Sequence, residues 1–214
     1  MCYIVVDLEM CRIPKRLRTK SFKWASETIQ IGAVMLDDNY EVIDKFNTFV
    51  KPELGVISTE ITMLTGISND MVFGAPSARE ALMSFANWIP EDATLVAWSD
   101  SDELQIRHEV EGKELSFEGI EKFNGEWIDC QALFSEVMNN PRRYNLEEAL
   151  NLSDIDYDIH LHDGLIDASN TALLFKKIKT EKCFKLNDYY LASKQDPERL
   201  TCSLGDIFSC LQFA

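Results

Sequence analysis

The sequence predicts an α/β fold: a central mixed five-stranded sheet flanked by helices. Three observations predict it. Two short apolar runs, Cys2–Val6 and Thr94–Trp98, suit strands buried on both faces. A pair of β-branched segments is joined by a tight turn, and capped amphipathic segments lie between and after the strands.

The first run, CYIVV, ends at Val6 and leads straight into Asp7-Leu8-Glu9. Side chains alternate along a strand, so Asp7 and Glu9 leave one face and Leu8 the other. Like charges held that close repel, and partial burial adds a desolvation cost to each. A divalent cation between them relieves both. A strand emerging into solvent with an ordinary polar face gives the same pattern, so this stretch alone does not choose.

RIPKRLRTKSFK follows, carrying Arg12, Lys15, Arg16, Arg18, Lys20 and Lys23 and no acid. It is a positive loop in a chain whose net charge is −15. Phe22 and Trp24 interleave with the cations, a composition that can stack bases while lysines hold phosphates. Seating the loop on the neighbouring hairpin would use the same two rings.

Thr28–Asp37 and Glu41–Pro52 then read as an antiparallel hairpin with its turn at Asp37–Tyr40. A short helix is capped by Ser58/Thr59 and closed by Gly66. Ser77–Ile89 is a clearer one, with Ser77 and Glu80 at capping-box positions and Ala81, Phe85, Trp88 and Ile89 on one face. After the strand Thr94–Trp98 come more acids and a helix over Asp102–Glu111. Trp127–Cys130 reads as the fifth strand, and the helix after it breaks at Pro141. A further helix is capped by Asn145 with Glu148 at the box position. Asp167–Lys179 is the last strong helix, with cations in its final turn. Residues 1–180 form the expected domain, and 181–214 an accessory C-terminal segment.

At 214 residues and 46% hydrophobic, the chain can bury a sizeable core. No apolar run approaches a membrane span, and no basic region precedes the short apolar start, so neither a membrane anchor nor a signal peptide is expected. Cys2, Cys11, Cys130, Cys183, Cys202 and Cys210 show no C-x-x-C spacing and fit reduced thiols in a cytoplasm. The acidic balance argues against a protein that coats nucleic acid with its whole surface.

Three acidic sites occupy comparable places: Asp7/Glu9 on the first strand, Asp100/Asp102 just past a later strand, and Asp167 at the start of the last strong helix. His162 lies five residues before Asp167 in HDGLID. Strand ends of open α/β sheets are where ligands bind. Clustered carboxylates suit hard cations such as Mg²⁺ or Mn²⁺, and a pair of these about 3.5–4 Å apart is a known arrangement for phosphodiester hydrolysis. Histidine titrates near neutrality and can serve as the accompanying base.

In this order and spacing, the motifs resemble the DEDDh branch of the DnaQ-like 3′–5′ exonucleases, within the ribonuclease H-like superfamily, over roughly residues 2–179. Asp7-Leu8-Glu9 is similar to the first motif. VAWSDSDELQI is similar to the second, with Asp102 as the better match and Asp100 as its alternative. His162-Asp163-Gly164-Leu165-Ile166-Asp167-Ala168 is similar to the third. FNTFVKPE followed by ITMLTGISNDMV resembles Eri1-like, RNA-processing members.

The resemblance implies two divalent cations, Mg²⁺ or Mn²⁺, held by Asp7, Glu9, Asp102 and Asp167, with His162 as general base. It further implies release of nucleoside 5′-monophosphates from the 3′ end of single-stranded RNA or DNA, with RNA or short oligonucleotides favoured. The expected nucleic-acid contacts are Met10, Arg12, Lys15, Arg16, Arg18, Lys20, Phe22 and Lys23. Met10 and Cys11 depart from the family pattern, which often has threonine or another small residue after the glutamate. His160 reads as incidental on a strand-like H-x-H, His108 as a surface residue, and Asp163 as a turn acid. The competing readings are a binding or regulatory protein with weak catalysis on the same fold, and a docking module driven by the basic loop.

Overall fold

The computed structural model describes residues 2–20 and 22–195. Its sheet has the strand order β3-β2-β1-β4-β5, with β1 (Cys2–Arg12) at the centre. β2 (Ser26–Leu36) runs antiparallel to β1 along its whole length, from Tyr3 opposite Leu36 to Arg12 opposite Ser26, with a register slip between Glu9 and Met10. β4 (Ala93–Ala97) pairs with β1 in parallel and stops at Val6 opposite Ala97. The expectation that the first strand ends at Val6 is therefore corrected, because Asp7 and Glu9 lie inside an 11-residue strand. The length of β2 decides this, since it supplies ladder partners well beyond the apolar run.

β3 (Val42–Phe49) completes the hairpin with β2, as the turn residues predict. β5 is only Ile128–Asp129, shorter than Trp127–Cys130, because Asp129 accepts a hydrogen bond from the Ala132 amide at 2.8 Å and so opens the next helix. α1 (Thr59–Thr65) ends at Gly66, whose φ of 73° is one that glycine adopts without strain. α2 (Asn69–Phe73) is too short to show periodicity and has no counterpart in the sequence reading. α3 (Ala78–Trp88) has both hydrogen bonds of the Ser77/Glu80 capping box. α4 (Asp100–Gly112) starts two residues early, at a Ser99 cap. α5 (Cys130–Val137), α6 (Leu146–Leu152), α7 (Gly164–Thr180) and α8 (Asp188–Gln195) follow.

Alternation along β1 divides the core. Ile4, Val6 and Leu8 pack with Leu82, Phe85 and Ile106 of α3 and α4, whereas Val5 packs with Val34, Ala172 and Phe175 on the α7 side. Beyond α7, Phe184, Tyr190 and Leu191 pack against the cluster of Phe134 and Leu174, and the Asn187 amide donates to Leu152 O at 2.8 Å. The start of the segment expected to be accessory thus rests on α6 and α7, while residues 196–214 lie outside the described residues.

The basic stretch is held down more firmly than a solvated loop. Arg12 belongs to β1, and the Ile13 amide donates to Ala25 O at 2.8 Å. Phe22 is 2% exposed, and a side chain at Gly112 of α4 would strike its ring. Trp24 stacks on His108 at 4.5 Å. The expectation that Phe22 stacks on bases is therefore corrected: its ring is spent on core packing, and both aromatics seat the stretch on α4 rather than on the hairpin.

Behind it lies a buried ionic cluster. Glu27, on β2, accepts from the amides of Glu53, Leu54 and Gly55. Lys113 bridges Glu27 at 2.8 Å and Glu109 at 2.9 Å, and Glu109 accepts from the Thr28 amide at 2.7 Å. Removing one partner of a buried pair strands the other charge, so Glu27→Ala should destabilise the fold by about 3–5 kcal/mol in urea unfolding. A loss of about 0–1 kcal/mol, typical of exposed pairs, would show that the cluster is solvated.

Candidate active site

Asp7 and Glu9 project to the α7 side of β1, opposite Gly32 and Gln30 of β2. Gly32 is where the first turn of α7 comes to rest. A Cβ there would lie 2.1 Å from the carbonyl carbon of Gly164, and one on Gly164 would lie 3.1 Å from Asp7 O. Gly32 has no room for a side chain, and Gly164 has room for one only if the neighbouring backbone gives by a few tenths of an ångström. Fully buried Gln30 fixes this approach: its Oε1 accepts from the Gly164 amide at 3.0 Å, and its Nε2 donates to Asn47 at 3.1 Å and Asp163 at 3.3 Å. Asp163 caps α7 by accepting from the Leu165 and Ile166 amides at 3.0 and 3.1 Å. It is a turn acid, as its position suggests.

Asp167 sits one turn into α7. Its Oδ2 accepts from the His162 amide at 2.9 Å, while its buried Oδ1 has no hydrogen-bond partner among the described residues. His162 adopts φ 68°, an uncommon left-handed conformation for a non-glycine residue, and its side chain is exposed. Ligand atoms of Glu9, His162 and Asp167 lie within 4.8 Å of one another. No strand forms over 160–162, so the strand-like reading of H-x-H is corrected. His160 instead pairs with Asp158 at 2.7 Å in an exposed turn.

On the other side, β4 has ended and the Leu8 amide has no strand to pair with. Asp102, only 5% exposed, fills that place, its Oδ1 accepting from Leu8 N at 3.0 Å. Asp100 is exposed and faces Arg143 at 3.5 Å. Of the two alternatives in the second motif, Asp102 is thus the one turned onto β1.

The electrostatics follow from this crowding. Burial, then the charges of Asp102, Asp167, Glu9 and Asp163, hold the Asp7 carboxyl well above the usual carboxylate range. Burial and the charges of Asp167, Asp163 and Asp102 push Glu9 up to about 8. Asp102 rises to about 7, chiefly through burial, with the Leu8 amide opposing. Burial also raises Asp167, against the His162 amide. An orphaned buried oxygen among desolvated carboxylates, with an imidazole beside them, is a donor set that fits a hard divalent cation.

The basic stretch begins where β1 ends. Met10 is half-buried against the Leu8 side of the core, Arg12 ends β1, and Lys15, Arg16, Lys20 and Lys23 are exposed. Gln30, Gly32 and Gly164 were missed by sequence reasoning. A glycine inside the β-branched run IQIGAVML was the available signal of close backbone approach.

The exonuclease family model, RNase_T, matches residues 4–175. The chain belongs to this exonuclease family. Among curated relatives, ERI1 exoribonuclease 2 of Danio rerio is 30% identical over 181 residues, covering 73% of this chain and 32% of that protein. DNA polymerase III PolC-type of Bacillus subtilis is 29% identical, covering 88% of this chain and 12% of the polymerase. DNA polymerase III subunit epsilon of Aquifex aeolicus is 27% identical, covering 88% and 86%. The chain therefore spans about a third of the fish protein and far less of the polymerase. In fold, this family member is similar to a full-length 3′-exonuclease, with a TM-score of 0.69, 20% identity and coverage of 87% and 85%. The cell-death related nuclease CRN-4 gives 0.68, 18% identity and coverage of 87% and 66%. The mixed sheet flanked by helices is thus of the ribonuclease H-like class. Among the described residues no helix is long and apolar enough to cross a membrane.

The acidic cluster makes stability depend on pH with a definite sign. A carboxyl whose pKa is raised on folding favours the fold below its ordinary pKa, and that contribution is lost as pH rises through the folded value. With chelator present, the melting temperature should fall as pH rises from about 5 to about 8, the window set by Glu9 and Asp102. Mn²⁺ should raise it more at the upper end than at the lower. A melting temperature flat across that window, or a Mn²⁺ effect largest in acid, would contradict the assignment.

Proposed function

We propose that this protein is a metal-dependent 3′–5′ exonuclease, acting on single-stranded nucleic acid and releasing nucleoside 5′-monophosphates. RNA or short oligonucleotides are the favoured substrates, a preference supported by the 30% identity to an exoribonuclease. The single observation that carries the reading is the convergence of Glu9, His162 and Asp167 within 4.8 Å beside Asp7, in a member of an exonuclease family. Free Cys2, Cys11, Cys130 and Cys183 are compatible with a cytoplasmic setting.

Asp7, Glu9, Asp102 and Asp167 would hold two divalent cations, Mg²⁺ or Mn²⁺. When bound, these supply Lewis acidity, easing deprotonation of the attacking water and offsetting charge on the phosphodiester. The chain's own part is placement and proton handling. Asp102 is tethered to Leu8, and Asp167 is tethered through the His162 amide, so neither carboxylate has to be ordered on binding substrate. The His162 side chain projects from a turn that its own amide pins to Asp167, which leaves the imidazole free to take a proton from water at a ring nitrogen. Desolvated carboxyls that stay protonated at neutral pH would lose those protons when cations enter, so activity should rise with pH through about 7–8.

Two substitutions test this reading with 3′- and 5′-labelled RNA and DNA in Mn²⁺. Asp7→Asn should abolish mononucleotide release while keeping the fold, with unchanged or higher stability in chelator. Near-normal turnover by this variant would overturn the mechanism. His162→Ala should slow the reaction by about 10²–10⁴-fold and spare metal-induced stabilisation. A rate and pH profile equal to those of the unaltered protein would remove His162 from the role of base.

A further inference from the structure

We propose that Gln30 and Asp163 are positioning residues for the reaction, acting as a pair of matched polarity. The direction of their one hydrogen bond, carboxamide to carboxylate, sets where His162 and Asp167 stand relative to Glu9. This inference rests on the exonuclease reading and adds two residues to its working parts.

Four amides around the start of α7 are engaged by three side chains. That of His162 donates to Asp167 at 2.9 Å, that of Gly164 to Gln30 at 3.0 Å, and those of Leu165 and Ile166 to Asp163 at 3.0 and 3.1 Å. Of the three side chains, Gln30 alone reaches in from another element, β2. Its Nε2 donates onward to Asp163 Oδ2 at 3.3 Å and to Asn47 Oδ1, on β3, at 3.1 Å. His162 sits at φ 68°, a conformation that a non-glycine residue keeps when its surroundings overdetermine it. Its own amide is held by Asp167, and the two residues after it are held by Gln30.

Polarity leaves little choice of residue at position 30. Turned round, the carboxamide would set its NH₂ group against the Gly164 N–H, donor against donor, and its oxygen against the Asp163 carboxylate. A glutamate would keep the bond from Gly164 but would face Asp163 with a second carboxylate, directly across the ladder from Glu9. Charge at this corner matters, since that of Asp163 already acts on Asp7 and Glu9. A leucine would leave the buried Gly164 amide without an acceptor. Each of these changes loosens the first turn of α7 on the sheet. His162 and Asp167 would then move together, while Glu9 stays on β1.

The test exchanges the two groups. Gln30→Glu, Asp163→Asn and the double variant carrying both are compared with the unaltered protein well below melting. In the double variant, the new amide at 163 can donate to the new carboxylate at 30. The cap of α7 keeps a side-chain oxygen, and the net charge stays at −15. Asn47 can turn its own amide to donate to the same carboxylate.

Each single variant should lower kcat on a labelled oligonucleotide in Mn²⁺ about tenfold while KM changes less than about threefold. Each should also shrink the rise in melting temperature that Mn²⁺ produces. The double variant should return to within about threefold in kcat and regain that rise, so that the two losses do not multiply. A double variant slowed about a hundredfold would overturn the pairing. So would single variants that melt lower in chelator yet keep a normal kcat and a normal Mn²⁺ rise, since the two groups would then serve the fold alone. If a single variant does not fold, a double variant that folds and turns over supports the pairing, and one that does not fold overturns it. If the unaltered protein cut no oligomer, the exonuclease reading would fall, and the Mn²⁺ rise across the three variants would decide the pair.

Discussion

The acidic end of the molecule depends on how closely the first turn of α7 rests on β1 and β2. Gly32 and Gly164 remove the side chains that would hold the two layers apart, and Gln30 fills the remaining polar space. That contact brings Asp167 from the helix to Glu9 on the strand. Any side chain at Gly32 would meet backbone rather than a flexible side-chain end, so the helix would have to move as a unit. The site is therefore a property of layer spacing before it is a property of its carboxylates.

A second constraint is the unequal length of the neighbours of β1. β2 accompanies it throughout, while β4 leaves after Val6. The freed amide of Leu8 then becomes a donor for Asp102, so α4 is tied to the strand where the ladder runs out. An unpaired buried amide is costly, and meeting that need with a carboxylate places a third negative group beside Asp7. Fold and site are coupled here through a single hydrogen bond.

Much of this was legible in the sequence. Strand alternation put Asp7 and Glu9 on one face, and capping chemistry marked the starts of α3 and α6. The spacing from His162 to Asp167 marked the last motif. What stayed hidden is what pairwise tertiary contact decides. The length of β1 is set by β2, which apolar runs do not reveal. Gln30 looks like any polar strand residue until the helix it receives is known. Phe22 sits among lysines and arginines, where composition suggests a wet surface, yet its ring is buried because Gly112 leaves room for it. The basic stretch was recognisable as a charge run, whereas the bridge from Arg12 to Val56 is a contact between segments more than 40 residues apart.

The tethers on Asp102 and Asp167 bear on how far the two carboxylates can turn. Each has one oxygen engaged by a backbone amide: Oδ1 of Asp102 by Leu8, and Oδ2 of Asp167 by His162. An oxygen that accepts one N–H keeps a second lone pair, so the amides take away no donor capacity and instead limit how each carboxylate can turn. Two main-chain N–H groups that never touch a bound ion would thus set the directions from which carboxylate oxygens approach it.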